Sequence, residues 1–366
     1  MVIALILTGG FATRLRPLTL TKPKALLPIL DKPLLDWIIE GVKKASIKDV
    51  ILSVRYLSHL IKSRYGDGST YNVNIRYLEE SKPLGDAGPL RLAFERGEIE
   101  GTFLTIYGDV FSDLNLLDLI NYHKKKGGIA TLALAKVEDP LRYGVVVLDD
   151  EGKVKSFIEK PKERPPSNIV NAGVYVFEPE VIKYIPSKYP SKISLHLIPK
   201  LLEVGDVYGY VHEGIWSDIG VPIDYRRANY MALKKLYPNG YIDKTAEIGD
   251  DVEIINPAFI GKNVIVGRGS KLGPLTVINE AVRIGTSCRI KGSIVMMGTL
   301  IDDSVVIGDS IIGEKSFIGK WVRIEDGVVL GDEVVIDDEV FIARNAIILP
   351  FKEVTSDVRE EGKVVL

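Results

Sequence analysis

The stretch LTGGFATRLRPLTLTKPKALLPI, Leu7 to Ile29, follows the first apolar run with a glycine pair and several cations. Glycines after a strand let backbone N–H groups approach phosphate oxygens, and cationic side chains neutralise the phosphate charge. Gly9 and Gly10 provide the close approach, while Thr13, Arg14, Arg16, Lys22 and Lys24 provide hydroxyl and cationic contacts. The stretch is neither a P-loop nor a GxGxxG turn. On its own it fits a phosphate grip or a plain basic surface loop. With 47 Lys and Arg against 49 Asp and Glu, the formal charge is -2. That balance argues against a general nucleic-acid binder and makes the basic stretch a local feature.

Such a loop needs elements to hold it. Up to about Tyr237, short apolar runs alternate with amphipathic stretches. Strands are expected at Val2–Leu7, Val50–Val54, Asn74–Leu78, Phe103–Tyr107 and Ala130–Ala135. A helix is expected from Pro33, with Leu34, Leu35, Ile38, Ile39, Val42 and Ala45 on one face, and another over Leu114–Lys126. This alternation predicts an α/β, Rossmann-like domain with a mostly parallel mixed sheet, whose ligands gather at the carboxyl ends of the strands. The glycine pair leaves the first strand at such an end, and Gly108-Asp109 leaves the fourth.

From about Tyr241 the grammar changes. Aliphatic residues recur every six positions, often before glycine: Ile248, Ile260, Val266, Leu272 and Ile284, then Ile312, Ile318, Ile324, Leu330, Ile336, Ile342 and Ile348. A period of six suits neither an amphipathic helix nor a lone strand; it is the mark of a parallel β-helix of hexapeptide repeats. The beat breaks between Ile290 and Ile312, where a loop or irregular coil is expected. Two domains follow, 1–237 and 238–366, in keeping with a chain of 366 residues.

The lone cysteine, Cys288, rules out an internal disulfide and a cysteine-cluster metal site, and favours a reducing, cytoplasmic setting. The apolar start is too short for a membrane span and lacks the features of a signal peptide. Membrane and nucleic-acid partners are therefore not expected. Exposed coil faces and the open end of a β-helix favour a homo-oligomer. The four histidines, His59, His123, His196 and His212, lack metal-ligand spacing. None follows His212, so the β-helix carries no candidate base for acyl transfer and reads as an assembly and regulatory surface.

Read whole, GG-x-x-TRL-x-PLT…KPK resembles the signature of the sugar-1-phosphate nucleotidyltransferases. Further pieces recur in order: PLGDAGPL at 83–90, YGDV at 107–110, YGVV at 143–146, FIEKP at 157–161, NAGVYVF at 171–177 and WSDIG at 216–220. The resemblance covers essentially the whole chain, hexapeptide tail included; in that family the tail is a left-handed parallel β-helix. It is most similar to the branch that joins GTP and mannose 1-phosphate. The implied reaction is attack of the sugar phosphate on the α-phosphorus of a nucleoside triphosphate, with loss of pyrophosphate. Glucose-1-phosphate thymidylyl- or uridylyltransferases, and non-catalytic regulatory homologues, share the architecture.

The resemblance implies roles. Arg14 and Lys24 stabilise the α-phosphate and the leaving pyrophosphate, while Asp109 and Asp218 hold Mg2+, an ion that suits carboxylates bridging to phosphates. Leu7, Gly9, Gly10, Thr13, Pro83, Gly85 and Gly88 line the nucleotide. Glu159 accepts from sugar hydroxyls, Lys160 faces the sugar phosphate, Asn171 takes another hydroxyl beside Gly173, and Gly144 leaves room for the sugar. Glu80 chooses the base, because guanine offers two adjacent donors that one carboxylate can accept; Glu79 is the alternative. Two departures stand out. Ala12 fills a position usually occupied by glycine, and Asp86 replaces a usual threonine, adding charge near the expected nucleotide pocket.

Overall fold

A computed structural model describes residues 2–187 and 190–366. In chain order its first strands are β1 (Ile3–Leu7), β2 (Pro28–Ile29), β3 (Lys32–Pro33), β4 (Asp49–Val54), β5 (Asn74–Glu79), β6 (Phe103–Tyr107) and β7 (Val110–Ser112). There follow β8 (Ala130–Lys136), β9 (Gly144–Leu148), β10 (Val154–Glu159), β11 (Ile169–Phe177), β12 (Val207–His212) and β13 (Trp216–Asp218). The helices are α1 (Leu34–Lys44), α2 (Ser58–Tyr65), α3 (Gly88–Glu95), α4 (Leu116–Lys126), α5 (Ile198–Val204) and α6 (Pro222–Leu236). None of the described helices is long and apolar enough to cross a membrane. The chain packs as two compact units. The first runs to Gly10 and resumes over Leu34–Asp218; the second joins Phe11–Pro33 to Ile219–Leu366.

In the first unit, β5, β4, β1 and β6 lie side by side and parallel. β11 then runs antiparallel to β6 and β8, β12 pairs parallel with β8, and β9 and β10 form an antiparallel hairpin at one edge. The result is the expected mixed, mostly parallel sheet. The register sets Leu7 between Ser53 and Tyr107, so three strand ends finish level. α1 buries the predicted face of Leu34, Leu35, Ile38, Ile39 and Val42. α4 starts two residues later than the pattern suggests. The Asn115 side chain caps it, accepting from Leu117 N (3.1 Å) and Asp118 N (3.4 Å).

The second unit is built on three sheets of short parallel strands, one on each side of the coil. Ile260 stands beside Ile278, Val266 beside Ile284 and Leu272 beside Ile290, each eighteen residues on. Two residues before each aliphatic position a smaller residue also points inward. At three of the Ser and Thr positions the hydroxyl donates to a carbonyl 14 or 15 residues on: Ser270 to Gly285 (2.8 Å), Thr299 to Gly313 (2.8 Å), Ser310 to Glu325 (2.9 Å). Buried hydroxyls are thereby satisfied.

The break in the beat is not a loop. Ile278 pairs with Val295, Ile284 with Ile301 and Ile290 with Ile307, and pairing continues to Ile312, Ile318 and Ile324. Two successive coils are simply one residue short, at the corners through Gly292 and Asp309. Both residues have positive φ, as do the corner residues of the full-length coils, so the turn conformation survives the loss of a residue. Ile294, Val295, Ile301 and Ile307 stay buried throughout. The expected irregular segment is therefore regular coil.

Within this unit, Phe11–Pro33 is stitched down by specific bonds. The Tyr225 hydroxyl donates to Pro28 O (2.6 Å), Leu30 N donates to Asn229 Oδ1 (2.8 Å), and Asn279 Nδ2 donates to Leu30 O (2.5 Å). Tyr225 and Asn229 are on α6, and Asn279 follows a repeat strand.

Candidate active site

At the carboxyl edge of the parallel strands, backbone bonds continue past the strand ends. Thr8 N donates to Ser53 O (2.9 Å), Gly108 N to Leu7 O (2.9 Å), and Glu80 N to Val54 O (3.2 Å). Three chain crossings thus bring Gly9, Glu80 and Asp109 to one edge. The Glu80 carboxylate is held from two sides: Ser53 Oγ donates to Oε1 (2.7 Å) and Leu84 N to Oε2 (3.3 Å). A Cβ built on Gly9 would come 2.6 Å from Glu80 Oε1. The glycine is what lets backbone and carboxylate approach. Glu79 is exposed and ion-paired with Lys62, so of the two acids Glu80 has the fixed carboxylate at the strand ends.

Pro83 is exposed, whereas Gly85 lies against the backbone near Ser191; a Cβ there would meet Ser191 O at 1.9 Å, and its φ is +78°. Ser191 N donates to Leu84 O (2.9 Å) and Ala87 N to Ser191 O (3.2 Å), after which Gly88 opens α3. Asp86 belongs to this internal seam. Its Oδ1 accepts from Ile193 N (2.5 Å) and its Oδ2 from the Tyr107 hydroxyl (3.1 Å). Expected from the sequence as an added charge for the nucleotide pocket, Asp86 instead bonds inward.

Burial raises the Asp86 carboxyl above its usual range, against the lowering effect of those hydrogen bonds. The folded state therefore holds this proton at pH values where the unfolded chain has lost it. Stability falls as pH climbs from the ordinary carboxylate value through the elevated one. Asp86→Asn is expected to flatten the dependence from the ordinary carboxylate range upward and to leave the protein at least as stable at neutral pH. Urea unfolding of both proteins across that range checks it.

The same hydroxyl network reaches β11. Asn171 Nδ2 lies 2.6 Å from the Tyr175 hydroxyl, and Asn171 Oδ1 accepts from Gly173 N (3.3 Å). Tyr107 and Tyr175 meet edge to face with centroids 5.7 Å apart. β11 shifts register between Asn171 and Tyr175, where Gly173 takes a φ of +74° and its Cα lies against the Tyr107 ring. On the edge hairpin, Gly144 is opposite Glu159. A Cβ at Gly144 would meet Phe157 Cζ at 2.4 Å and Glu159 Oε2 at 2.9 Å. Lys160 Nζ is 3.9 Å from Glu159 Oε1 and its side chain is largely exposed.

Asp109 and Asp218 are brought close in register. β7 pairs antiparallel with β13, Asp218 is opposite Val110, and Asp109 is the residue just before Val110. Trp216 anchors β13: its indole N–H donates to Ala172 O (2.9 Å) and its ring packs edge-on against Tyr143, 5.2 Å away. Two carboxylates, one from the turn before β7 and one from β13, without nitrogen or sulfur donors, fit an oxygen-preferring cation that keeps water and substrate oxygens as its other ligands. No cluster of three or more potential ligands occurs among the described residues. The acids are too few for a cage of protein ligands alone.

The cations of the opening segment divide sharply. Arg14 and Arg16 are exposed, and Lys24 is half-buried. Lys22, grouped from the sequence with the phosphate-facing cations, is buried and ion-paired with Glu314 (2.5 Å) and Asp332 (3.0 Å). Thr13 and Arg14 lie on a single helical turn after Ala12, whose φ of 46° is the left-handed value that glycine would adopt freely.

Sequence reasoning missed Ser53, Tyr107 and Tyr175, which position the predicted residues. Tyr107 and Tyr175 fall within the quoted YGDV and NAGVYVF motifs, while Ser53 had only its place near a strand end as a signal. Of the histidines, His123 is buried between Thr131 Oγ1 (2.8 Å) and Glu178 Oε1 (3.0 Å), and His212 lies against Asp113 Oδ1 (2.8 Å). Both knit neighbouring elements together.

Comparison with known proteins identifies the family. Residues 3–235 match the nucleotidyl transferase family and residues 254–365 the family described as the GMPPB C-terminal domain. A protein of Sulfolobus acidocaldarius with the provisional designation mannose-1-phosphate guanyltransferase is 41% identical over 274 residues, covering 74% of each chain. The mannose-1-phosphate guanylyltransferase of Mycobacterium tuberculosis is 35% identical, over 78% of this chain and 82% of its own. A Bacillus anthracis structure, provisionally a glucose-1-phosphate thymidylyltransferase and solved with sucrose, superposes with a TM-score of 0.59. It is 25% identical and covers 67% of this chain and 98% of that one.

Proposed function

The chain belongs to the nucleotidyl transferase family and is a sugar-1-phosphate nucleotidyltransferase, and on that premise we propose that it makes GDP-mannose and pyrophosphate from GTP and mannose 1-phosphate. The guanylyltransferase relatives support this reading. The observation that carries the choice of base is the Glu80 carboxylate, fixed by Ser53 and Leu84 beside Gly9. A held carboxylate can accept from guanine N1–H and the exocyclic amine together, whereas uracil and thymine present one donor between two acceptors.

The remaining roles follow from residue chemistry. Arg14 and Lys24 are assigned to phosphate charge, which grows toward the leaving pyrophosphate, so their attraction is greatest in the transition state. Asp109 and Asp218 would hold Mg2+, which when bound gathers phosphate oxygens and offsets their charge. Glu159, kept in place opposite Gly144, accepts from sugar hydroxyls; Lys160 faces the sugar phosphate, and Asn171 meets a further hydroxyl. Positioning of this kind accounts for most catalysis of phosphoryl-type transfer.

A grid of GTP, dTTP and UTP against mannose and glucose 1-phosphates tests the proposal, with pyrophosphate release as the readout. GTP with mannose 1-phosphate is expected to turn over fastest. Glu80→Gln is expected to cut kcat/KM for GTP by about tenfold, because an amide offers one acceptor where the carboxylate offers two, with a smaller effect on dTTP and UTP. Equal losses with all three nucleotides would remove Glu80 from base selection.

A further inference from the structure

Lys22 has almost no contact with solvent, and its charge is met by two acids near the C-terminal end, Glu314 and Asp332. Asp332 is itself buried. Its Oδ2 also accepts from the Thr21 hydroxyl (2.6 Å), and its Oδ1 accepts from Glu314 N (2.8 Å). A buried ammonium is costly unless opposite charge meets it, so the two ion pairs, with the Thr21–Asp332 hydrogen bond, pin the chain at residues 21 and 22. Both cations assigned to phosphate lie close to that point. Lys24 follows after Pro23, whose ring limits backbone freedom, and begins a helical turn over Lys24–Leu26. Arg14 sits on the turn after Ala12, and Thr19, two residues before Thr21, ties back by donating from Oγ1 to Ala12 O (2.9 Å).

We propose that Glu314 and Asp332 are positioning residues for the transfer reaction: repeat coils of the β-helix fix, through Lys22 and Thr21, the segment that carries Arg14 and Lys24. The proposal rests on the phosphate roles given to those two cations. It makes the hexapeptide coils part of the catalytic apparatus, acting at a distance from the reacting atoms. Placement of charged groups matters at the scale of an ångström. A loosened segment therefore loses rate even when every cation remains in the sequence.

The test uses the full chain. Asp332→Asn alone would leave Lys22 held by Glu314, so the principal variant is Lys22→Met with Asp332→Asn, which removes the buried ion pair at similar volume, leaves only the partly exposed Glu314 to solvent, and is expected to stay folded. Glu314→Gln, at a partly exposed acid, is the milder companion. Hydrogen exchange of residues 11–27 without substrate is expected to speed up in the double variant. Its kcat is expected to fall ~10-fold or more, while KM for GTP changes much less. Glu314→Gln should move the same way by a smaller factor. Unchanged exchange in 11–27, or kcat within about twofold of wild type in the folded double variant, overturns the proposal. A wild-type chain inert toward every nucleotide and sugar phosphate would instead defeat the functional reading. The exchange experiment would then still decide whether the anchor holds the segment.

Discussion

Asp109→Asn is expected to lower turnover at saturating substrates by on the order of 10³-fold, since charge stabilisation at a phosphoryl centre is worth several kcal/mol. The residue sits in the turn between β6 and β7, one position before Val110, which pairs with Asp218. Asparagine keeps the size and one acceptor oxygen but loses the charge. The backbone pairing of β7 with β13 does not depend on that side chain, so the fold should survive and circular dichroism should be unchanged. Pyrophosphate release over a Mg2+ titration is the measurement. Turnover within tenfold of wild type would remove Asp109 from the chemistry and leave Asp218 without the neighbour that makes a two-carboxylate site credible.

Gly144→Ala is the second large effect, expected to reduce kcat/KM for the sugar phosphate by ~10²-fold. The added methyl group would overlap Phe157 Cζ and the Glu159 carboxylate. The Glu159 side chain can swing away more easily than the paired backbone can part, so the damage should fall on sugar binding. Overpacking of this kind costs about 1–3 kcal/mol of stability, a modest loss for a hairpin at a sheet edge. Steady-state kinetics with each substrate varied in turn should place the loss in KM for the sugar phosphate, with KM for the nucleotide little changed. An equal rise in both would mean that the hairpin serves general stability.

Much of this was legible before any coordinates. The apolar runs at Phe103–Tyr107 and over α1 are short, strongly patterned and bounded by turn residues, and they fold as read. The period of six was plain because each aliphatic residue must meet its neighbour one coil away. The two short coils were not legible. A missing residue at Gly292 and Asp309 looks identical to the start of an irregular loop until the pairing of Ile278 with Val295 is known. Side-chain destinations were the least readable. Lys22 and Lys24 are separated only by Pro23 in a basic stretch, yet one is buried against Glu314 and Asp332 and the other is not. No local pattern foretells a partner some 311 residues further on, the separation between Thr21 and Asp332. The partners of Asp86 were hidden for a related reason, since Ile193 lies 107 residues further on. Charge near a pocket suggests a ligand, whereas Ile193 N and Tyr107 had already claimed the carboxylate.

That long separation bears on biosynthesis. Residues 21 and 22 leave the ribosome early but cannot find Asp332 until some 311 more have been translated, roughly 15–60 s at ordinary elongation rates. Nascent chains interrupted before the closing coils would carry the whole transferase signature and still lack the contact that tethers it. If Glu314 and Asp332 position the segment as proposed, turnover waits on the translation of residue 332, well after the transferase signature has emerged.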